Sequence, residues 1–108
     1  MGYEYAIICP DENYLILMHK LFDNMKKKGS YQKIDCNEKG IMIEDPVDNG
    51  WIFLEIYEST ALWNDYIMPD GFRHLYCYFS GGGEMRQYLD IIGETLKEHG
   101  GGCVLEEF

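Results

Sequence analysis

Two segments of this sequence carry apolar or aromatic side chains at almost every position, and both are predicted to be β-strands. Residues 72–80 divide between two faces, and one face carries Phe72, His74, Tyr76 and Tyr78. Residues 51–57 divide in the same way, with one face carrying Trp51, Phe53, Glu55 and Tyr57. A strand with one face in water alternates apolar with polar residues. These two strands do not, so we expect both sides of their sheet to be covered.

Two amphipathic helices are predicted to supply part of that cover. Residues 12–28 repeat apolar side chains at steps of three and four, at Leu15, Met18, Leu21, Phe22 and Met25. Asp11 is a suitable N-cap for this helix. The second helix, residues 84–99, carries a similar stripe formed by Met85, Tyr88, Leu89, Ile92 and Leu96.

The order of the predicted elements is β-α-β-β-β-β-α-β in one domain spanning residues 1–108. The remaining strands are predicted at residues 4–9, 31–36, 41–44 and 103–108. This order indicates an α+β fold, with an antiparallel or mixed sheet of five to six strands and two helices on one face. A ferredoxin-like core is the nearest simple topology, with an extra hairpin and an insertion at residues 58–71. That insertion fits either a short helix or an extended flap.

The charge of the chain restricts its partners. Nine Lys and Arg against 19 Asp and Glu give a net charge of −10. Nucleic acids and anionic membrane surfaces both require a basic footprint, so we expect neither as a partner. A basic protein is compatible with this charge.

The cytoplasm is the expected location. No apolar run approaches the roughly 18 residues of a membrane span, and the first residues lack the pattern of a signal peptide. In that reducing compartment Cys9, Cys36, Cys77 and Cys103 are expected to be free thiols.

No motif in the sequence predicts catalysis, and we expect no cofactor and no metal. Cys9 lies before a helix, where a thiol pKa is lowered, but Leu15 stands where a Cys-x5-Arg motif needs Arg. The cysteines and histidines show no close pair of zinc ligands. An enzyme built on Glu55, His74 or Cys9 would need these side chains to converge.

The aromatic sheet face leaves three interpretations open. Residues 58–71 could fold over it and make it part of the core, two copies could pack sheet against sheet as a homodimer, or another molecule could bind there. The candidate binding residues are Trp51, Phe53, Glu55, Tyr57, Trp63, Tyr66, Phe72, His74, Tyr76 and Tyr78.

Two functions follow from these observations. The first is a small acidic interaction domain that neutralises a basic partner, as immunity proteins neutralise nuclease toxins, an analogy of size and charge. The alternative is a ferredoxin-like domain that binds a small molecule or regulates another protein, using the aromatic face with residues 58–71 as a lid.

Overall fold

A computed structural model describes residues 3–31, 33–45, 51–60, 73–80 and 85–107. Within these ranges it confirms the α+β fold, with two helices and one antiparallel sheet. The elements are β1 (Tyr3–Ile8), α1 (Tyr14–Lys28), β2 (Ile34–Cys36), β3 (Gly40–Asp45), β4 (Trp51–Ser59), β5 (His74–Phe79), α2 (Met85–His99) and β6 (Val104–Glu107).

The strands lie in the order β2-β3-β4-β5-β1-β6, and every pairing is antiparallel. When the β2–β3 hairpin is set aside, the element order is the β-α-β-β-α-β of a ferredoxin-like core. The two helices lie side by side, and the Asn24 amide of α1 donates to Thr95 Oγ1 of α2 at 2.8 Å. Neither helix is long and apolar enough to cross a membrane, within the residues described.

The core lies between the helices and one face of the sheet. Strand residues that share this face by register are fully buried, among them Ile7, Ile41, Ile43, Leu54, Ile56, Leu75, Cys77 and Phe79. The helices bury Tyr14, Leu17, Met18, Leu21 and Met25 from α1, and Tyr88, Ile91, Ile92, Thr95 and Leu96 from α2.

The predicted stripe of the first helix was wrong at its N-terminal end. Helix α1 begins at Tyr14, after Asn13, and Leu15 is 70% exposed. Asp11 does not cap the helix, because its Oδ1 accepts from the backbone N–H of Asn13 at 3.2 Å, before the first turn. The backbone of Glu12 explains the later start, because its φ of 54° lies in the left-handed region and cannot belong to a right-handed helix. The Tyr14 hydroxyl donates to the carbonyl of Arg73 at 2.9 Å.

A β-bulge in β4 corrects the predicted face of Phe53. Ile43 pairs with Leu54 while the next residue of β3, Glu44, pairs with Ile52, so Phe53 is the extra residue. Its ring is buried among the helix-side aromatics, 5.0 Å from Tyr31 and 5.8 Å from Phe79 between centroids. The strict alternation that grouped Phe53 with Glu55 and Tyr57 therefore fails at this position.

The expectation of four free thiols was also wrong. Cys9 and Cys103 form a disulfide across 94 residues of sequence, and only Cys36 and Cys77 are free cysteines among the described residues. Ile8 pairs with Val104, so the register of β1 and β6 places the two cysteines directly opposite each other. Burial raises the pKa of the Cys77 thiol, which keeps it protonated and unreactive.

Candidate functional site

Two adjacent rows of paired residues form the sheet face opposite the helices. One row runs across five strands as Asp35, Met42, Glu55, Tyr78 and Glu4. The next row runs as Gly40, Tyr57, Tyr76, Ala6 and Glu106. Successive side chains of a strand point to opposite faces of the sheet. In every strand that contributes to both rows, the two contributing residues are two positions apart, so both rows lie on the same face. We call these two rows the acidic tyrosine face.

Carboxylates are regularly spaced on this face. In the first row Asp35, Glu55 and Glu4 alternate with Met42 and Tyr78, so no two carboxylates are directly paired. Strands are spaced by about 4.8 Å, which puts neighbouring carboxylates of the row roughly 10 Å apart. That separation is close to the Debye length of about 8 Å at physiological salt, so their mutual repulsion is weak while their potentials add in front of the face.

The cations lie elsewhere in the fold. The described strands contain no Lys or Arg. Basic side chains are carried by the helices, at Lys20, Lys26, Lys27, Lys28, Arg86 and Lys97, and by the segments that flank strands, at Lys33, Lys39 and Arg73. The two helices also carry Asp23, Asp90, Glu94 and Glu98, so their net charge is 6 − 4 = +2, whereas the charged residues of the two rows are all carboxylates.

The three tyrosines form a cluster between the carboxylates. The ring centroids of Tyr57 and Tyr76 are 5.3 Å apart, and those of Tyr76 and Tyr78 are 6.5 Å apart. The Tyr76 hydroxyl donates to Glu4 Oε1 at 2.7 Å. Burial, and then this bond to Glu4, raise the pKa of Tyr76. Burial and the nearby charge of Glu55 raise the pKa of Tyr57, so both rings stay neutral donors at physiological pH.

Four of the predicted binding residues are brought together on this face, at Glu55, Tyr57, Tyr76 and Tyr78. His74 shares the face by register, pairs with Ser59, and is fully buried. Trp51 lies at the far end of β4, opposite Asp45, and is 66% exposed. Phe53 belongs to the core instead.

The other predicted binding residues, Trp63, Tyr66 and Phe72, lie outside the described residues. So does most of the segment 58–71, whose first residues Glu58 and Ser59 are the end of β4. The interpretation that residues 58–71 fold over the sheet therefore stays a prediction.

Sequence reasoning missed three carboxylates of the face, Glu4, Asp35 and Glu106. Only strand pairing brings them to the face: it places Glu4 and Asp35 in the row of Glu55, and Glu106 in the row of Tyr57 and Tyr76. The available signal was alternation in residues 3–6, where Glu4 stands between tyrosines and next to buried positions.

The residues proposed for catalysis do not converge. Glu55 is opposite Tyr78, which is four residues from His74 along β5, a separation of roughly 13 Å. Proton transfer requires hydrogen-bond reach, so these two side chains do not form an acid–base pair. Cys9, the third candidate, is buried in the core cluster, whereas Glu55 and His74 lie on the opposite face of the sheet by register.

A shallow cleft adjoins one end of the acidic tyrosine face. Its volume is about 480 Å³, and it lies between the β2–β3 turn and β4, with Glu55 and Tyr57 on one side and Asn37, Lys39 and Met42 on the other. This volume falls within the range of small-molecule sites.

Comparison of the chain with models of known protein families and with proteins of curated function found no match.

Proposed function

We propose that this chain is a protein-interaction domain that binds a basic protein through the acidic tyrosine face and neutralises it, in the manner of an immunity or inhibitor protein. The observation that carries the proposal is the composition of the two rows. They hold four carboxylates and three tyrosines with no Lys or Arg. Tyrosine is enriched where proteins bind one another, and carboxylates around it would steer a cationic partner.

The exposure of these side chains supports the proposal. Glu4 and Asp35 are exposed, Tyr57 is 38% exposed, and Glu55, Tyr76 and Tyr78 are half-buried. A half-buried tyrosine offers a rigid apolar ring together with a hydroxyl that can bond to a partner. The tyrosines would supply contact area, and the carboxylates would supply association rate and selectivity.

The same charges argue for a basic partner over a second copy of this chain. A homodimer built on this face would bring the carboxylates of one copy near those of the other. Like charges held together in an interface cost several kcal/mol. A partner that offers Lys or Arg at roughly 10 Å spacing would match the row of Asp35, Glu55 and Glu4.

The proposal includes a cytoplasmic location. Cys36 and Cys77 are free thiols, as is usual in that compartment. A cytoplasmic protein would hold Cys9 and Cys103 largely as thiols, so the redox state of this pair in native cells tests the location. Quantitative oxidation of the pair in freshly lysed, alkylated cells would contradict it.

The experiment for function compares two variants of equal net charge. The face variant combines Glu4→Gln, Glu55→Gln and Glu106→Gln, and the control variant combines Asp23→Asn, Asp90→Asn and Glu98→Gln on the helices. The tagged proteins are used to purify partners from the native cells at low salt, and the partner is then titrated in pure form. We expect a basic partner that the control variant retains and the face variant loses.

Two outcomes would refute this function. Equal loss in both variants would mean that the binding follows net charge alone. If the wild-type protein retains no basic partner at low salt, the interaction does not exist.

The cleft beside Glu55 favours small-molecule binding as the second candidate function. A thermal-shift screen against metabolites tests it, because a ligand that binds only the folded state raises the melting temperature. A shift that the Tyr57→Ala variant abolishes would support this candidate, and no shift with any metabolite class would exclude it.

A further inference from the structure

Four side chains of the kinds that bind metals meet where β1 and α2 end and β6 begins. They are Cys9 and Asp11, just after β1, His99, the last residue of α2, and Cys103, just before β6. One donor atom from each lies within 4.8 Å of the others. His99 Nε2 is 3.2 Å from Asp11 Oδ2, and the His99 side chain is only 5% exposed. Nothing in the acidic tyrosine face involves this cluster.

We propose that the reduced chain binds one Zn²⁺ ion with Cys9 Sγ, Cys103 Sγ, His99 Nε2 and Asp11 Oδ2 as its four ligands. Zinc prefers four tetrahedral ligands of these types, with bonds of about 2.3 Å to sulfur and 2.0 Å to nitrogen or oxygen. Such a tetrahedron separates its donor atoms by roughly 3.3 to 3.8 Å. In the oxidised chain the four donor atoms lie within 4.8 Å of one another and the two sulfurs are bonded. After reduction the sulfurs move apart, and rotations of the four side chains bring the donor atoms to tetrahedral positions.

The local sequence supplies the four ligands in two pairs. Cys9 and Asp11 are separated by one residue just after β1. His99 and Cys103 are separated by three glycines, a ligand spacing within the usual range of structural zinc sites, so the sequence-based expectation of no close ligand pair was wrong for these two residues. Gly100, Gly101 and Gly102 all have φ of +74°, and this left-handed run turns the chain sharply from α2 into β6. A Cβ at Gly101 would lie 3.4 Å from Asp11 Oδ2, so this turn is in contact with the carboxylate.

The disulfide and the metal site are alternative states of the same cysteines. A dithiol reductant breaks the Sγ–Sγ bond, supplies two electrons and two protons, and is itself oxidised to a disulfide. The two thiols then lose their protons as Zn²⁺ binds, because thiolate is the ligand form. The oxidised chain lacks both sulfur ligands and should not bind the ion at this site.

Binding also changes the surroundings of His99. The Lys20 ammonium lies 3.2 Å from Nδ1, and an ammonium group only donates, so Nδ1 accepts and the ring proton sits on Nε2. Zinc replaces this proton at Nε2, and the exposed Lys20 side chain moves away if Nδ1 takes the proton up. With four protein ligands the coordination is full, which is typical of a structural site and not of a catalytic one. The ion would join β1, α2 and β6, as the disulfide joins β1 and β6.

Metal binding by the full chain tests the proposal. The protein is reduced with a phosphine, freed of metal, and titrated with Zn²⁺ against a chromophoric chelator, and Co²⁺ is used as a spectroscopic probe. We expect one Zn²⁺ per reduced chain, none per oxidised chain, and a Co²⁺ spectrum with intense tetrahedral d–d bands and thiolate charge-transfer bands.

Matched variants locate the ion. Cys103→Ser should weaken binding by more than the roughly 10- to 100-fold that is lost with outer-shell groups. The controls are Cys36→Ser and His19→Gln, which remove a cysteine and a histidine outside the cluster and should leave the affinity unchanged. If circular dichroism shows that Cys103→Ser is unfolded, the Asp11→Asn variant at an exposed ligand replaces it as the test. We expect this variant to bind Zn²⁺ more weakly and to give an altered Co²⁺ spectrum.

Several results would overturn the zinc site. Absence of stoichiometric binding, equal binding by the oxidised chain, or an octahedral Co²⁺ spectrum would each do so. Equal losses in Cys36→Ser and Cys103→Ser would place the ion elsewhere. None of these results bears on the acidic tyrosine face, so the two proposals fail independently.

Discussion

Tyr76 of β5 donates its hydroxyl hydrogen bond to Glu4 of β1, at 2.7 Å across the pairing of two neighbouring strands. Glu4 is directly opposite Tyr78, so this bond runs diagonally and joins the two rows of the acidic tyrosine face. It holds one carboxylate in a defined position beside the tyrosine cluster. The bond thus has two effects: it stabilises the pairing of β1 with β5, and it fixes the position of the Glu4 carboxylate on the acidic tyrosine face.

The stability of the protein is predicted to fall above about pH 10 in part because of Tyr76. Its folded-state pKa is raised by burial and by Glu4, so the folded state keeps the phenol proton that the unfolded state loses near pH 10. The contribution of Tyr76 to folding stability is complete below the unfolded-state pKa. It is lost as the pH rises from the unfolded-state pKa through the higher folded-state pKa. Tyr76→Phe should cost about 1 kcal/mol at neutral pH and make the alkaline decline shallower.

Denaturant unfolding at a series of pH values measures this effect. Tyr3→Phe is the matched control, because Tyr3 is an exposed tyrosine of the neighbouring strand. An alkaline decline that is equally steep in wild type and Tyr76→Phe would show that the Tyr76 proton does not contribute.

Neutralising Glu55 is predicted to weaken binding of the basic partner without lowering the stability of the fold. Glu55 lies between Met42 and Tyr78, with Asp35 and Glu4 roughly 10 Å away in the same row. Glu55→Gln removes weak repulsion, so the free energy of unfolding should stay equal or rise by no more than about 0.5 kcal/mol. Affinity for the basic partner should fall by about fivefold or more at low salt, and by less at high salt. A loss of affinity that salt does not alter would contradict the electrostatic role.

Phe53 is predicted to be a core residue in spite of its position in the sequence pattern. Its ring is 1% exposed and contacts Tyr31, Phe79 and Tyr88. Phe53→Ala should therefore cost about 3 to 5 kcal/mol of unfolding free energy. Trp51→Ala, two positions away at a 66% exposed site, should change it by no more than about 0.5 kcal/mol. Similar costs for the two variants, measured by urea unfolding, would argue against the bulge.

Reduction of the Cys9–Cys103 bond is predicted to destabilise the chain when no metal is present. The bond closes a loop across 94 residues, and loss of a native disulfide costs about 2 to 5 kcal/mol. The measurement is denaturant unfolding in a chelator, with and without a phosphine reductant. Cys36→Ser should respond to the reductant as wild type does, whereas Cys103→Ser should not respond. An unfolding midpoint that is the same with and without reductant would show that the bond does not stabilise the protein.

Local features of the fold could be predicted from the sequence because they depend on residues that are near one another. The turn at residues 37–40 is one example. Asn37 Oδ1 accepts from the backbone N–H groups of Lys39 and Gly40, and a Cβ at Gly40 would overlap the carbonyl oxygen of Ile56. Asparagine and glycine suit such a turn by their own chemistry.

The candidate site was predictable only in part. The faces of β5 and of the last part of β4 follow strict alternation, so the sequence places Glu55 with Tyr57 and Tyr76 with Tyr78, but only the register between the two strands joins these pairs on one face. Phe53 was misassigned because a bulge depends on the pairing of two strands, which is not encoded in either strand alone. Glu4 and Glu106 joined the face only through the position of β1 between β5 and β6.

The sequence by itself determined the α+β class, the two helices, the acidic charge and the aromatic character of two strands, since periodicity, composition and turn chemistry are local properties. The tertiary structure decided which carboxylates lie beside the tyrosines, which side of the sheet Phe53 occupies, and that Cys9 meets Cys103. Those outcomes depend on strand order and register, which are set by packing between residues far apart in the chain.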